Sequence, residues 1–184
     1  RQDPNVILVG EIRDAETAKL AMQAALTGHL VLTTVHARDT IGTIFRLLDL
    51  GVEPFLITAT FEAVVAQRLA RRICPACKEE FKPTEEQLTE LQLTPENVEG
   101  KKFYFGKGCD NCNNTGYRGR IGVFELMVFN NEIRELVMKN ASTGLLREAA
   151  ERNGMRSLRE SGLLLIYDGI TSIDEVVRAT VFTE

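Results

Sequence analysis

Long apolar runs are missing from this chain. The longest, such as Leu163–Tyr167, are far too short to cross a bilayer. A basic-then-apolar signal segment is missing as well. So is a surplus of positive charge: the net charge is -4, whereas a general nucleic-acid surface needs an excess of Lys and Arg. A local basic patch stays open. The sequence shows no internal repeat and no low-complexity tract. It also lacks an initiator Met, and Arg1-Gln2-Asp3-Pro4 leads within a few residues into a strand-like stretch. The expectation is a fragment whose natural N-terminal portion lies upstream. What is present is 184 residues, 44% hydrophobic and 26% charged. That is a globular balance, with length for one domain or one domain and a small satellite.

The first third reads as strand, helix, strand. Asn5–Gly10 is a short β-branched apolar run, expected to be a buried strand. Asp14 is placed to cap a helix over 15–27, whose apolar positions Ala18, Ala21, Met22, Ala25 and Leu26 fall at helical spacing. Gly28 suits a left-handed stop. His29–Val35 is a second buried-strand candidate. A crossover of this length implies parallel strands. Asp39 caps a further helix through Leu50. Residues 54–73 read as one long helix with Phe55, Ile57, Phe61, Val64, Val65 and Leu69 on its apolar side, which puts Arg68, Arg71 and Arg72 at its end. Solvated charge and a subunit or nucleotide contact are both open for these arginines, and for Arg118 and Arg120. Thr84 with Gln87 signals a helix start. Strands are expected over 101–105 and 120–127, and helices near 131–139, 143–152, 156–168 and 173–181. Ser172 and Glu175 suit a capping box for the last of these.

Two constellations carry chemistry. Ligands of parallel α/β sheets bind beyond the carboxyl ends of the strands. Glu11 follows the first strand and His36 ends the second, so parallel strands bring both to one edge. A carboxylate there suits Mg²⁺ or its waters, and a His can donate to a phosphate oxygen. His29 stands seven residues before His36, roughly 20 Å away along a strand, and is not paired with it as a metal ligand. Spacing alone leaves structural roles open for Glu11 and His36. The second constellation is Cys74-Pro75-Ala76-Cys77 and Cys109-Asp110-Asn111-Cys112, with 31 residues between the pairs. Cys74, Cys77, Cys109 and Cys112 suit tetrahedral thiolate ligation of structural Zn²⁺, with no open position for catalysis. Flanking glycines, Gly106, Gly108, Gly116 and Gly119, favour the turns. Redox dithiols and disulfides are the alternatives. With no signal segment, a reducing cytoplasm is the natural setting. Lys101, Lys102 and Lys107 form a small basic cluster, open to anionic lipid, to an acidic partner or to no specific contact.

The segment NVILVGEIRDAET resembles the Walker B segment of the type II secretion and type IV pilus assembly ATPases, the GspE/PilB-like family. TGHLVLTTVHA resembles their His box, and the likeness runs through the cysteines to the helical tail. It implies an α/β fold: a partial RecA-like P-loop NTPase core (1–73), a four-cysteine zinc-binding insertion (74–118), and a strand with an α-helical C-terminal subdomain (119–184). It implies ATP and Mg²⁺ as cofactors beside Zn²⁺. Glu11 corresponds to the acidic residue that supports Mg²⁺ and water, with Arg13 and Asp14 in the same motif. His36 corresponds to the residue that senses the terminal phosphate. His29 is the other His-box histidine, structural or at an interface. The intact protein would be a homo-hexamer, cytoplasmic and peripheral to the inner membrane, contacting inner-membrane components of the machine, with neither nucleic acid nor a membrane span. Tetracysteine members are of the assembly type, which favours extension over retraction. No G-x-x-x-x-G-K-[ST] occurs, and the family's acidic box and contributed arginines also lie upstream. The isolated chain is therefore expected to be inactive as an ATPase. The rival readings are a zinc-ribbon interaction module without nucleotide chemistry and, more remotely, a nucleic-acid-remodelling ATPase.

Overall fold

A computed structural model describes residues 3–180. The chain divides into two compact units, one of residues 1–66 and 126–155, the other of 67–125 and 156–184.

In the first unit, strand β1 (Val6–Ile12) runs parallel to β2 (Leu30–Val35). Val6, Ile7, Leu8 and Val9 lie opposite Leu30, Val31, Leu32 and Thr33. The register then slips before Ile12 meets Val35. Helix α1 (Ala15–Leu26) makes the crossover. The Asp14 carboxylate accepts from Thr17 N at 2.8 Å and satisfies one of the free amides of the first turn. Ala18, Ala21 and Met22 are buried, and Gly28 takes a φ of +97° just past the helix. The strands are less buried than the sequence predicts. Val6, Leu8, Leu30 and Leu32 share an exposed face, because side chains alternate along each strand. Glu11 lies inside β1 rather than one residue past it.

Helix α2 (Thr40–Asp49) starts from Asp39, whose Oδ1 accepts from Gly42 N at 2.7 Å. The expected long helix over 54–73 is not one element. Helix α3 (Pro54–Thr60) ends after two turns, and strand β3 (Ala63–Ile73) follows. Arg134 explains the stop. Its guanidinium donates to the carbonyls of Thr58 and Phe61, the groups that a continuing helix would have used. Phe129 N donates to Glu62 O at 2.9 Å, and the Phe61 and Phe129 rings sit 5.4 Å apart. Arg68, Arg71 and Arg72 accordingly lie on a strand. Helices α5 (Asn131–Met138) and α6 (Thr143–Arg152) complete this unit. Its core includes Ile12, Ala18, Met22, Ile41, Ile44, Leu47, Ile57, Ile133 and Leu146.

Strand β3 pairs with β6 (Tyr117–Val128), and the division between the units falls within both strands. In the second unit, β4 (Lys78–Phe81) pairs antiparallel with β5 (Phe103–Gly106). Between them lie α4 (Glu85–Glu90), opened by the Thr84–Gln87 capping box, and a 3-10 turn over Pro95–Val98. Helices α7 (Leu158–Tyr167) and α8 (Ile173–Thr180) pack here; residue 181 of the expected last helix lies outside the described residues. The core is small: Leu88, Leu91, Phe103, Ile166, Ile173 and Val176. The basic cluster is engaged within the unit. Lys102 pairs with Glu80 at 3.0 Å, Lys107 with Glu79 at 3.2 Å, and Lys101 lies over the Tyr167 ring.

Ile44 is wholly buried in the first unit's core. Ile44→Ala should cost about 2–5 kcal/mol, lost transfer energy plus a cavity, read as a lower urea midpoint.

Candidate functional site

The parallel register places residues 11 and 36 at the same end of neighbouring strands. His36 Nε2 lies 2.8 Å from Glu11 Oε1, and Arg13 Nη2 lies 2.5 Å from Oε2. The His36 side chain is 85% exposed and that of Glu11 26% exposed. The imidazole therefore faces solvent while it leans on a half-sheltered carboxylate. Oε1 itself is buried without a hydrogen bond aligned on it. The His36 contact is close enough for an ion pair and does not satisfy the oxygen's remaining lone pair. Arg13's hydrogen bond lowers the Glu11 pKa; desolvation opposes it, and the charges of Arg13 and His36 add to the lowering. Glu11 is thus a carboxylate held ionised with one acceptor open, which suits a hard cation or its bound water. Next to His36 opens a cleft of 480 Å³ bordered by Arg38, Asp39, Arg46 and Arg147, with Arg147 paired to Asp39 at 2.6 Å.

His29 does something else. Its Nδ1 sits 3.0 Å from Ala24 O and 3.2 Å from Thr27 Oγ1, against the last turn of α1. Ala24 O, near the end of the helix, also accepts from the His29 backbone N–H at 3.2 Å and from the Thr27 hydroxyl at 2.8 Å, so the ring is tied to the helix end.

The four cysteines converge, and their sulfurs all lie within 4.8 Å of one another. Cys74 and Cys109 are 3.9 Å apart, Cys77 and Cys112 3.8 Å, and Cys109 and Cys112 3.7 Å. A disulfide requires about 2.0 Å. A tetrahedron of thiolates around Zn²⁺ at 2.3 Å has edges of about 3.8 Å, and the cluster has that size. Backbone amides point at the sulfurs: Gly108 N at Cys77, Cys109 N and Gly116 N at Cys112. Burial pushes the Cys77 thiol up to about 12. Burial also works on Cys112, but the amides of Cys109 and Gly116 win and hold it down at about 6. Burial also raises Cys109, so Cys112 is the sulfur whose amides favour the thiolate, the form that ligates a soft cation.

Glycine is required where the knuckles meet. A Cβ on Gly106 would fall on the Gly116 carbonyl, and Gly116 itself has a φ of +77°. The Gly-rich flanks were legible in the sequence. The amide donors were not, because a backbone N–H has no residue signature. Glu175 was also missed as a partner of the cysteine-bearing strands: its capping-box spacing pointed to Ser172. Glu175 N does donate to the Ser172 hydroxyl oxygen at 3.4 Å, but the carboxylate is turned toward Arg71 and Arg178.

The family model described as "Type II/IV secretion system protein" matches residues 1–178. The chain belongs to that family. The type IV pilus assembly ATPase PilB of Myxococcus xanthus is 49% identical over 181 residues, spanning 98% of this chain and 32% of that protein. The type II secretion system protein E of Pseudomonas aeruginosa is 44% identical over 180 residues, spanning 98% of this chain and 35% of that one. This member of the type II/IV secretion family thus spans about a third of those relatives' length. Among solved structures, the ADP-bound pilus retraction motor PilT superposes with a TM-score of 0.65 at 24% identity, over 97% of this chain and 40% of PilT. The α/β fold is shared with that motor. No helix among the described residues is long and apolar enough to cross a membrane.

The lowered Glu11 pKa carries a sign. A folded value below the unfolded one adds stability above the unfolded pKa and loses it as pH falls through the folded value. The stability of the wild type relative to Glu11→Gln should therefore rise with pH across the ordinary glutamate range and level off at neutrality. Thermal midpoints of the two proteins, measured side by side over that range, check this.

Proposed function

We propose that this chain is the C-terminal portion of a hexameric ATPase. The intact protein hydrolyses ATP to power assembly of a type IV pilus or a type II secretion pseudopilus. The observation that carries the reading is the 2.8 Å approach of His36 to Glu11 at one end of a parallel strand pair. The Walker B and His-box segments supply these two residues, and family membership supports their assignment to nucleotide chemistry. The buried, under-bonded Oε1 suits Mg²⁺, which Glu11 would hold directly or through its waters. When bound, the ion neutralises charge on the phosphate oxygens.

The chain's own residues have distinct tasks. Arg13 anchors one oxygen of Glu11 and leaves the other free to face the ion or the attacking water. His36, exposed and mobile about two side-chain bonds, donates from Nε2 to the terminal phosphate. It can do so only by turning away from Glu11, so its position differs between nucleotide-bound and empty states. Such a differential contact is what lets hydrolysis shift a conformation. Cys74, Cys77, Cys109 and Cys112 hold a structural Zn²⁺, supported by the size of the sulfur cluster and the amides directed at it. The PilB-type relatives, at 48% and 49% identity, support an assembly motor. The protein would work at the cytoplasmic face of the inner membrane, with inner-membrane components of the machine as partners and no nucleic acid.

Three outcomes are expected. Protein purified without added metal should carry about one equivalent of zinc by elemental analysis, and less than about a tenth with all four thiols free would remove the metal assignment. The 184-residue chain should show no steady-state ATP hydrolysis above that of its Glu11→Gln variant. In the full-length protein the same substitution should lower turnover by about 10²-fold or more. A phosphate-release assay reads both, and unchanged full-length turnover would sink the assignment of Glu11.

A further inference from the structure

Two strands lead the cysteine pairs into place. Strand β3 ends at Ile73, directly before Cys74, and β6 begins at Tyr117, five residues after Cys112. One short segment at the start of α8, Ile170–Glu175, is bonded to both. On the β3 side, Ile73 N donates to Ile170 O at 2.9 Å, and Thr171 Oγ1 donates to Arg71 O at 2.8 Å. The Glu175 carboxylate accepts from Arg71 three times: from the backbone N at 2.7 Å, from Nε at 3.0 Å and from Nη2 at 2.7 Å. On the β6 side, the Ser172 and Tyr117 hydroxyls are 2.7 Å apart. Arg71 also lies over the Tyr117 ring at 4.2 Å, which ties the two sides together. Just beyond the two strands, Cys74 N donates to Gly116 O at 2.9 Å.

This segment is built as an interior feature. Thr171 is 0% exposed, Ser172 4% and Glu175 1%. A carboxylate this deep is tolerated only when its oxygens are fully used, and Arg178 adds a further donor to Oε2 at 2.7 Å. A hydrophobic residue of the same size would have filled the space. A glutamate instead fixes an individual backbone amide, that of Arg71, three residues ahead of the first ligand. Metal centres depend on such outer contacts to aim their ligands.

We infer that Ile170–Glu175 is a clamp that positions the four-cysteine centre, with Glu175 as its principal positioning residue; this rests on those cysteines holding a metal ion. The clamp holds β3 and β6 in the one register that lets Cys74 meet Gly116 and brings both knuckles to one point. Coupling is reciprocal: what tightens the metal site also tightens the first turn of α8.

The test is release of Zn²⁺ from the loaded protein into an excess of a chromogenic chelator. Glu175→Gln and Arg71→Ala should each release the ion about tenfold faster or more, and the double variant should be no faster than the worse single one. The Co²⁺-substituted variants should show altered ligand-field bands at unchanged far-ultraviolet circular dichroism, a change that general loss of stability would not produce. Stripping the wild type of metal should raise amide exchange over residues 172–176. If Glu175→Gln fails to fold, Arg71→Ala decides, since the Arg71 side chain is 47% exposed and its loss leaves the backbone bonds in place. Folded variants that release Zn²⁺ within about twofold of the wild type overturn the clamp. A wild type that never loads Zn²⁺ overturns the metal assignment instead, and is recognised before any variant is compared.

Discussion

Parallel pairing of β1 with β2 is the constraint on which the proposed nucleotide chemistry depends. Antiparallel strands would send Glu11 and His36 to opposite ends of the pair. The register from Val6–Leu30 to Val9–Thr33, and on to Ile12–Val35 after a slip, brings them to one end. Helix α1 enforces that pairing by its length and by its caps, Asp14 at one end and Gly28 at the other. A local alphabet of capping residues thus fixes a tertiary contact between side chains twenty-five positions apart.

The second unit is stabilised differently. Its apolar cluster has few large members, with Phe103 the bulkiest of the fully buried ones. Polar contacts carry more of the organisation: the buried Glu175, the Tyr117–Ser172 pair, and amides aimed at sulfur. These are directional where a hydrophobic core is not, and direction is what four converging thiolates require. A segment short of core residues gains from bonds that specify geometry, even where the net energy of each is modest.

The sequence announced what depends on local chemistry. Asp14, Asp39 and Thr84 cap the helices expected of them, the cysteine pairs converge, and the strand–helix–strand crossover is parallel. It misled where distant partners decide. Over 54–73 the apolar spacing suits a helix, yet Arg134 takes the carbonyls at the end of α3 and β6 supplies a partner for β3. Both partners lie far along the chain, out of reach of any window on periodicity. The same reason hid Arg71 and Glu175, which meet across 104 positions. The strands of the first unit read as fully buried from their β-branched composition. Composition cannot separate a sheet covered on both faces from one with Val6, Leu8, Leu30 and Leu32 outward.

The hairpin of β4 and β5 has an evolutionary consequence. Its two strands are held at their base, where Lys107 N donates to Cys77 O and the Gly106 and Gly116 backbones touch. Everything from residue 82 to 102 is a closed excursion beyond that base. Closing such a loop depends only logarithmically on its length, about 0.6 kcal/mol for each doubling. Lineages can therefore lengthen or shorten the exposed turns of this excursion at little cost in loop closure, while Leu88 and Leu91, buried in the unit's core, and the two glycines at the neck admit almost no drift. Variation among family members should pile up in those exposed turns and stop at the two buried leucines and at the neck.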